Sequence, residues 1–286
     1  VADDAPTPAV ISYPAKAGGV LTRVLECGEG DGVVVFLHGS GARADRFRAN
    51  LAGLAALGWH CFAVDFPGHG FASKLPEHRY DTASFAEMVG DVVEDLGVAD
   101  VALVGTSLGA HVAATYACAA PERVRAAVLV GALGLVPVVR DASQTSARIA
   151  DTSEEGIRAK LKMLLCDRSL VTAEWVREER RVNTSPGAEG ALGSLRSYLA
   201  GKVNDELVGP AYASLGIPTL LVWGAEDAWV APRYGLEARE VLGGAPLVYL
   251  ERTGHVPYLE RAADFDALVH GFLSDPAAFP REVVHR

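Results

Sequence analysis

The chain has 286 residues, 50% of them hydrophobic and 22% charged, which supplies a sizeable core and makes the chain a poor candidate for disorder. Its 26 basic side chains against 36 acidic ones give a formal charge of -10, so no broad positive surface is available for nucleic acid, which is not an expected partner. The length suits one large domain, or one domain carrying an insertion.

Cys27, Cys61, Cys118 and Cys166 are far apart and form no CxxC pair. This spacing argues against a metal framework or a dense disulfide scaffold, and most of the four are expected to be small buried apolar residues. The acidic, proline-bearing start lacks the basic segment and apolar run of a secretory leader, and no later stretch is apolar for long enough to span a bilayer. A cytoplasmic protein without membrane association is the expectation.

In chain order, Val10–Tyr13 and Leu21–Cys27 form an expected edge hairpin. Short apolar runs follow at Val33–Leu37, His60–Val64, Val101–Val104, Ala126–Val130, Thr219–Trp223 and Leu247–Leu250. Their near-continuous apolar character suits strands buried on both faces, as in a mostly parallel sheet. Helical spacing of apolar residues marks Phe47–Leu57, Ser84–Leu96, Ala110–Ala119, Arg233–Leu242 and Ala262–Phe272, with Gly58, Gly97 and Gly243 standing where helices should stop. Between about 134 and 215 the alternation breaks. No sheet strand is expected there, whereas Ser153–Leu165, Thr172–Arg181 and Gly190–Leu207 read as helices, with a break at Ser185–Gly187. The expected organisation is a core in two parts, residues 1–133 and 216–286, with residues 134–215 as a helical lid over the C-terminal strand edge, where open α/β sheets bind ligands.

The strongest chemical motif is Gly105-Thr-Ser-Leu-Gly109, directly after one strand and before a helix. A G-x-S-x-G sequence in that context makes a sharp turn that presents its serine, here Ser107, in a strained and reactive position. A serine hydroxyl needs a base and a group that orients the base. His255 and Asp227 follow the last two apolar strands, and the chain order serine, acid, histidine fits one rim of the sheet, with Glu226 as the rival acid. His38, in His38-Gly-Ser-Gly41, is expected to organise its loop and not to act as the base. The N–H groups of Ser40 and Leu108 are the expected oxyanion donors, flanked by Gly39 and Gly41.

These motifs, HGSG at 38–41, DFPGHG at 65–70, GTSLG at 105–109, GAED at 224–227 and GH at 254–255, make the chain resemble the α/β-hydrolase fold family, serine-nucleophile branch. The resemblance implies a mostly parallel central sheet with flanking helices and an inserted helical cap, a Ser107–Asp227–His255 triad, and no cofactor or metal. Branches with an aspartate nucleophile do not fit Ser107. Within the family the chain is most similar to carbon–carbon bond hydrolases of meta-cleavage products, vinylogous diketones that carry a carboxylate. Those enzymes use a cap arginine on the carboxylate, for which Arg180 is the first candidate and Arg177 or Arg181 the alternatives. The chain departs from that group at Thr106 and Val256, where members commonly carry Asn and Trp.

The other enzymatic reading is a carboxylesterase or lactonase for a small to medium apolar ester, with Trp175, Trp229, Leu135, Val136 and Val256 as pocket candidates. A non-catalytic scaffold on the same fold is the third. A small-molecule substrate is the expected partner, and an exposed sheet edge or the lid helices could pair two copies into a homodimer, although no heptad pattern marks one.

Overall fold

The computed structural model describes residues 8–138 and 151–286. The acidic start of the chain and residues 139–150 of the expected lid lie outside the described residues. The sheet is built from β1 (Ile11–Ala17), β2 (Val20–Cys27), β3 (Gly32–Leu37), β4 (Trp59–Val64), β5 (Val101–Thr106), β6 (Val124–Val130), β7 (Thr219–Gly224), β8 (Leu247–Leu250) and β9 (Val283–His285). Their order is β1-β2-β4-β3-β5-β6-β7-β8-β9, antiparallel at β1-β2 and β2-β4 and parallel from β4 onward. This is the α/β-hydrolase architecture that the motifs implied.

The apolar runs form strands because both of their faces are covered. Val33, Val35 and Leu37 point into one apolar cluster with Phe85, Met88 and Val89 of α2 (Thr82–Asp95) and Val112 and Ala113 of α3 (Leu108–Ala119). Val34 and Phe36, one residue out of phase, point into a second cluster with Leu51 and Leu54 of α1 (Arg48–Ala56). A period of two with both phases apolar leaves the helices to exclude water from either side. The α2 start carries a reciprocal capping box between Asp81 and Ser84.

Between β6 and β7 lies a helical insertion whose described helices are α4 (Glu154–Leu164), α5 (Ala173–Asn183), α6 (Ala188–Gly201) and α7 (Gly209–Ala213). Ser153 and Thr172 cap α4 and α5 by accepting from the N–H groups of Gly156 and Trp175. The third helix ends earlier than its sequence suggests, because residues 202–206 turn so that Glu206 meets the core. Its carbonyl lies 2.8 Å from His111 Nε2 and its carboxylate accepts from the Tyr198 hydroxyl at 2.7 Å.

After β7 come α8 (Arg233–Val241), α9 (Pro257–Glu260) and α10 (Ala262–Ser274). Phe265, Leu268 and Val269 of α10 complete the second cluster. β9, three residues on the sheet edge with exposed flanks, had no periodicity from which to be read. All four cysteines are free, but the burial expectation holds fully only for Cys27 and Cys61; Cys118 is half-buried and Cys166 exposed.

Candidate active site

β3 sits between β4 and β5, so the chain reverses direction across the sheet at that point, and the loops after β3 and β5 face one another. The turn after β5 holds Ser107 at φ 53° and ψ -114°, a strained conformation for a residue with a Cβ. Several bonds over-determine it. Its N–H donates to Val130 at 2.8 Å, and its carbonyl accepts from Ala110 at 3.1 Å and Leu133 at 3.2 Å. The flanking glycines are required by close approach, since a Cβ on Gly105 would strike the Gly109 carbonyl and one on Gly109 would strike the Leu37 carbonyl.

His255 Nδ1 lies 2.7 Å from Asp227 Oδ2, with the two side chains only 5% and 0% exposed. Asp227 Oδ1 accepts from the backbone N–H groups of Trp229 at 2.7 Å and Val230 at 2.8 Å, which fixes the carboxylate plane. Nδ1 donates to the carboxylate, so Nε2 is the nitrogen free to exchange a proton. Glu226, the rival acid, is turned to the backbone N–H of Thr253 at 3.1 Å. Ser107 and His255 line one pocket, and Ser107 Oγ is buried there without a hydrogen bond among the described residues.

The loop after β3 forms the opposite wall, with Gly39, Ser40 and Gly41 all lining the pocket. His38 clamps it. Nε2 accepts the Phe66 N–H at 3.0 Å, so Nδ1 carries the proton and donates to the Gly39 carbonyl at 2.8 Å. Burial holds His38 down at about 4, which keeps the ring neutral and preserves this bonding pattern at neutral pH. Leu108 is the first residue of α3, whose opening N–H groups have no intrahelical acceptor.

Val256 and Trp229 line the pocket, as the sequence suggested, whereas Leu135 and Val136 are buried in the core and are not among its lining residues. Arg180 is exposed on α5, as are Arg177 and Arg181, and none of the three lines the pocket. Trp175 is also displaced from that role: its ring lies under Arg46, 4.9 Å from ring centroid to guanidinium, and its Nε1 donates to Glu179 at 3.2 Å.

Sequence reading missed Arg46, Lys160 and Tyr258, all of which line the pocket. Arg46 binds Glu179 of α5 at 2.8 Å, and Arg43 reaches the same carboxylate oxygen at 3.1 Å. Burial alone would raise Glu179, but Arg46, Arg43 and Lys160 outweigh it and hold the carboxyl at about 2. A readable signal for Lys160 did exist. It stands three residues after Ile157 and four before Leu164, on the apolar stripe of an otherwise charged helix. Among the described residues there is no group of three or more His, Cys, Asp or Glu side chains able to hold a metal ion, and no helix long and apolar enough to cross a membrane.

A strained serine after a parallel strand, lining one pocket with a buried histidine that is bonded to a carboxylate, is consistent with a serine hydrolase of this fold. The alpha/beta hydrolase fold family model matches residues 32–262, and the chain belongs to that family. It is similar to the dihydrolipoyllysine-residue acetyltransferase component of the acetoin cleaving system of Cupriavidus necator, with 31% identity over 259 residues, 89% of this chain and 67% of that protein. It is also similar to a 2-hydroxy-6-oxononadienedioate/2-hydroxy-6-oxononatrienedioate hydrolase of Klebsiella pneumoniae, 28% identical over 88% of this chain and 90% of that one. Among solved structures, a meta-cleavage product hydrolase of Pseudomonas fluorescens superposes with a TM-score of 0.83 at 26% identity, covering 92% of this chain and 97% of that chain.

Proposed function

We propose that the protein hydrolyses a carbon–carbon bond in a carboxylated vinylogous diketone of the meta-cleavage-product type. The observation that carries this reading is one pocket shared by Ser107, the Asp227-bound His255 and two cationic side chains, in a chain related over nearly its whole length to hydrolases of such substrates. Ser107 is the nucleophile, His255 the general base and acid, and Asp227 the group that orients the imidazole. The N–H groups of Ser40 and Leu108 form the oxyanion hole, and Gly39, Gly41 and Val256 shape the substrate wall. Residues 134–215 act as the lid on a core made of residues 1–133 and 216–286.

The substrate must first take its keto form, so that the departing carbon leaves as a stabilised carbanion. His255 then removes the Ser107 proton as Oγ adds to the ketone carbon, and the new oxyanion is held by two backbone donors, each worth about 3 kcal/mol in the transition state. The carbon–carbon bond breaks as the carbonyl reforms, and the imidazolium returns its proton to the departing carbon. Water, deprotonated by His255, next adds to the ester on Ser107, and the imidazolium passes that proton to Ser107 Oγ as it leaves, releasing the carboxylic acid and restoring the free serine. The Lys160 cation, which has no ion pair among the described residues, argues for an anionic substrate over the purely apolar ester of the alternative reading.

The test is kcat/KM for a carboxylated meta-cleavage dienone beside a short p-nitrophenyl ester, measured on wild type, Ser107→Ala and Asp227→Asn. A preference for the dienone supports carbon–carbon hydrolysis, whereas strong ester turnover with negligible dienone cleavage establishes an esterase or lactonase. Asp227→Asn is expected to lower turnover about 10,000-fold with folding intact. Near-normal turnover in that variant removes Asp227 from the role.

A further inference from the structure

Lys160 projects from α4 and is 3% exposed, and its ammonium nitrogen is buried with no hydrogen bond and no ion pair among the described residues. The nitrogen itself is out of solvent, so the side chain does not snorkel to water. The nearby charges leave it unneutralised. Glu179 Oε1 already receives Arg46, Arg43 and the Trp175 indole, and Arg43 is shared further with Asp45 and Glu178. Arg46 and Lys160 are thus left with one fully buried carboxylate between them, and Asp151 acts on Lys160 without forming an ion pair. An unpaired ammonium inside a protein is costly, and an anion bound beside it would supply the missing charge. Lys160 lines the same pocket as Ser107, His255 and the Gly39–Ala42 loop, so the anion that completes it arrives beside the reacting serine.

We propose that Lys160 is the specificity-determining residue of the pocket, receiving a carboxylate of the substrate while Arg46 is held in place by Glu179. This rests on the hydrolase reading for the nature of the substrate, but the anion site itself does not depend on which bond is cleaved. It moves carboxylate recognition from the exposed α5 arginines to the buried face of α4. Burial lowers the Lys160 ammonium, as expected of a cation lacking its counter-ion, and a bound carboxylate restores its charged form.

Binding and catalysis can be read separately. Calorimetric titration of the whole protein with benzoate, and with benzamide as a neutral analogue of the same shape, is compared for wild type, Lys160→Met, Lys160→Gln and Lys160→Arg. The expected result is benzoate affinity at least 30-fold weaker in Lys160→Met and Lys160→Gln, benzamide affinity unchanged, and benzoate affinity largely kept in Lys160→Arg. Lys160→Met should also melt at a higher temperature than wild type, because an unneutralised buried charge has been removed, whereas a structural lysine would leave a destabilised protein. In steady-state assays KM for a carboxylated dienone should rise by a larger factor than KM for p-nitrophenyl butyrate. Unchanged benzoate binding in both neutral variants, equal loss of benzoate and benzamide, or no benzoate binding by wild type at millimolar concentration overturns the proposal. A wild type that binds benzoate through Lys160 yet cleaves no dienone leaves the anion site standing and rejects the carbon–carbon reading alone.

Discussion

The backbone N–H of His255 donates to the carbonyl of Leu164 at 2.8 Å, so the loop carrying the proposed base is bonded directly to the last turn of α4 in the insertion. Glu260 reinforces this junction. Its carboxylate accepts from the N–H groups of Gly254 at 2.6 Å, Cys166 at 2.7 Å and Asp167 at 3.0 Å, one from the His255 loop and two from the insertion. The position of the imidazole is thereby coupled to the seating of the helices above it.

Glu260 is accordingly a positioning residue. Glu260→Ala removes the acceptor of three backbone donors, of which the two from the insertion are exposed and can turn to water, so the stability cost stays near that of ordinary hydrogen bonds, about 1 kcal/mol. The expected outcome is a kcat reduced about tenfold with KM for a neutral ester little changed, and partial rescue in Glu260→Gln, which retains acceptor capacity. A Glu260→Ala enzyme with wild-type kcat and a lower Tm would make the residue structural only.

The Glu179 ion pairs tie α5 of the insertion to Arg43 and Arg46 of the core, and Glu179→Gln leaves the buried Arg46 guanidinium without its carboxylate while Arg43 keeps Asp45 and Glu178. A loss of about 3 kcal/mol is expected, seen as a Tm several degrees lower at neutral pH. Because the folded carboxyl is held at about 2, below its unfolded value of 4.5, this stabilisation is fully present above pH 4.5 and is lost as pH falls toward 2. Melting curves of wild type and variant should therefore converge on acidification, and a constant gap across that range speaks against the charge pairing.

Asp266 titrates in the opposite sense. Burial lifts its carboxyl to about 7, opposed by the bond from Asn50 Nδ2 at 2.8 Å. The folded state thus keeps a proton that the unfolded chain releases from about pH 4 upward, and stability falls by about 1.4 kcal/mol per pH unit up to about pH 7 on account of this group. Asp266→Asn should remove that slope, so that the variant is more stable than wild type at pH 8 and similar to it at pH 4. Asn50 Oδ1, which lacks a donor, is available to the new amide. Equal pH slopes in the two proteins would refute the shift.

Much of this architecture is legible in the chain itself. The apolar runs identify the six parallel strands β3 to β8 in place, and the helix starts at Ser153 and Thr172 carry local capping chemistry. Gly105 and Gly109 mark the turn at Ser107 because backbone sterics at that point depend on a few adjacent residues. Such features are local, and a period or a missing Cβ records them directly. Tertiary structure alone decided which side chains meet across distant loops. It set Asp227 and not Glu226 against His255, turned Arg180 outward, and brought Arg46 and Lys160 into one pocket from 114 positions apart, 160 − 46. A charged residue on a helix reads the same whether it faces water or a cavity, and the difference arises only when the insertion closes over the sheet and removes solvent from one of its faces.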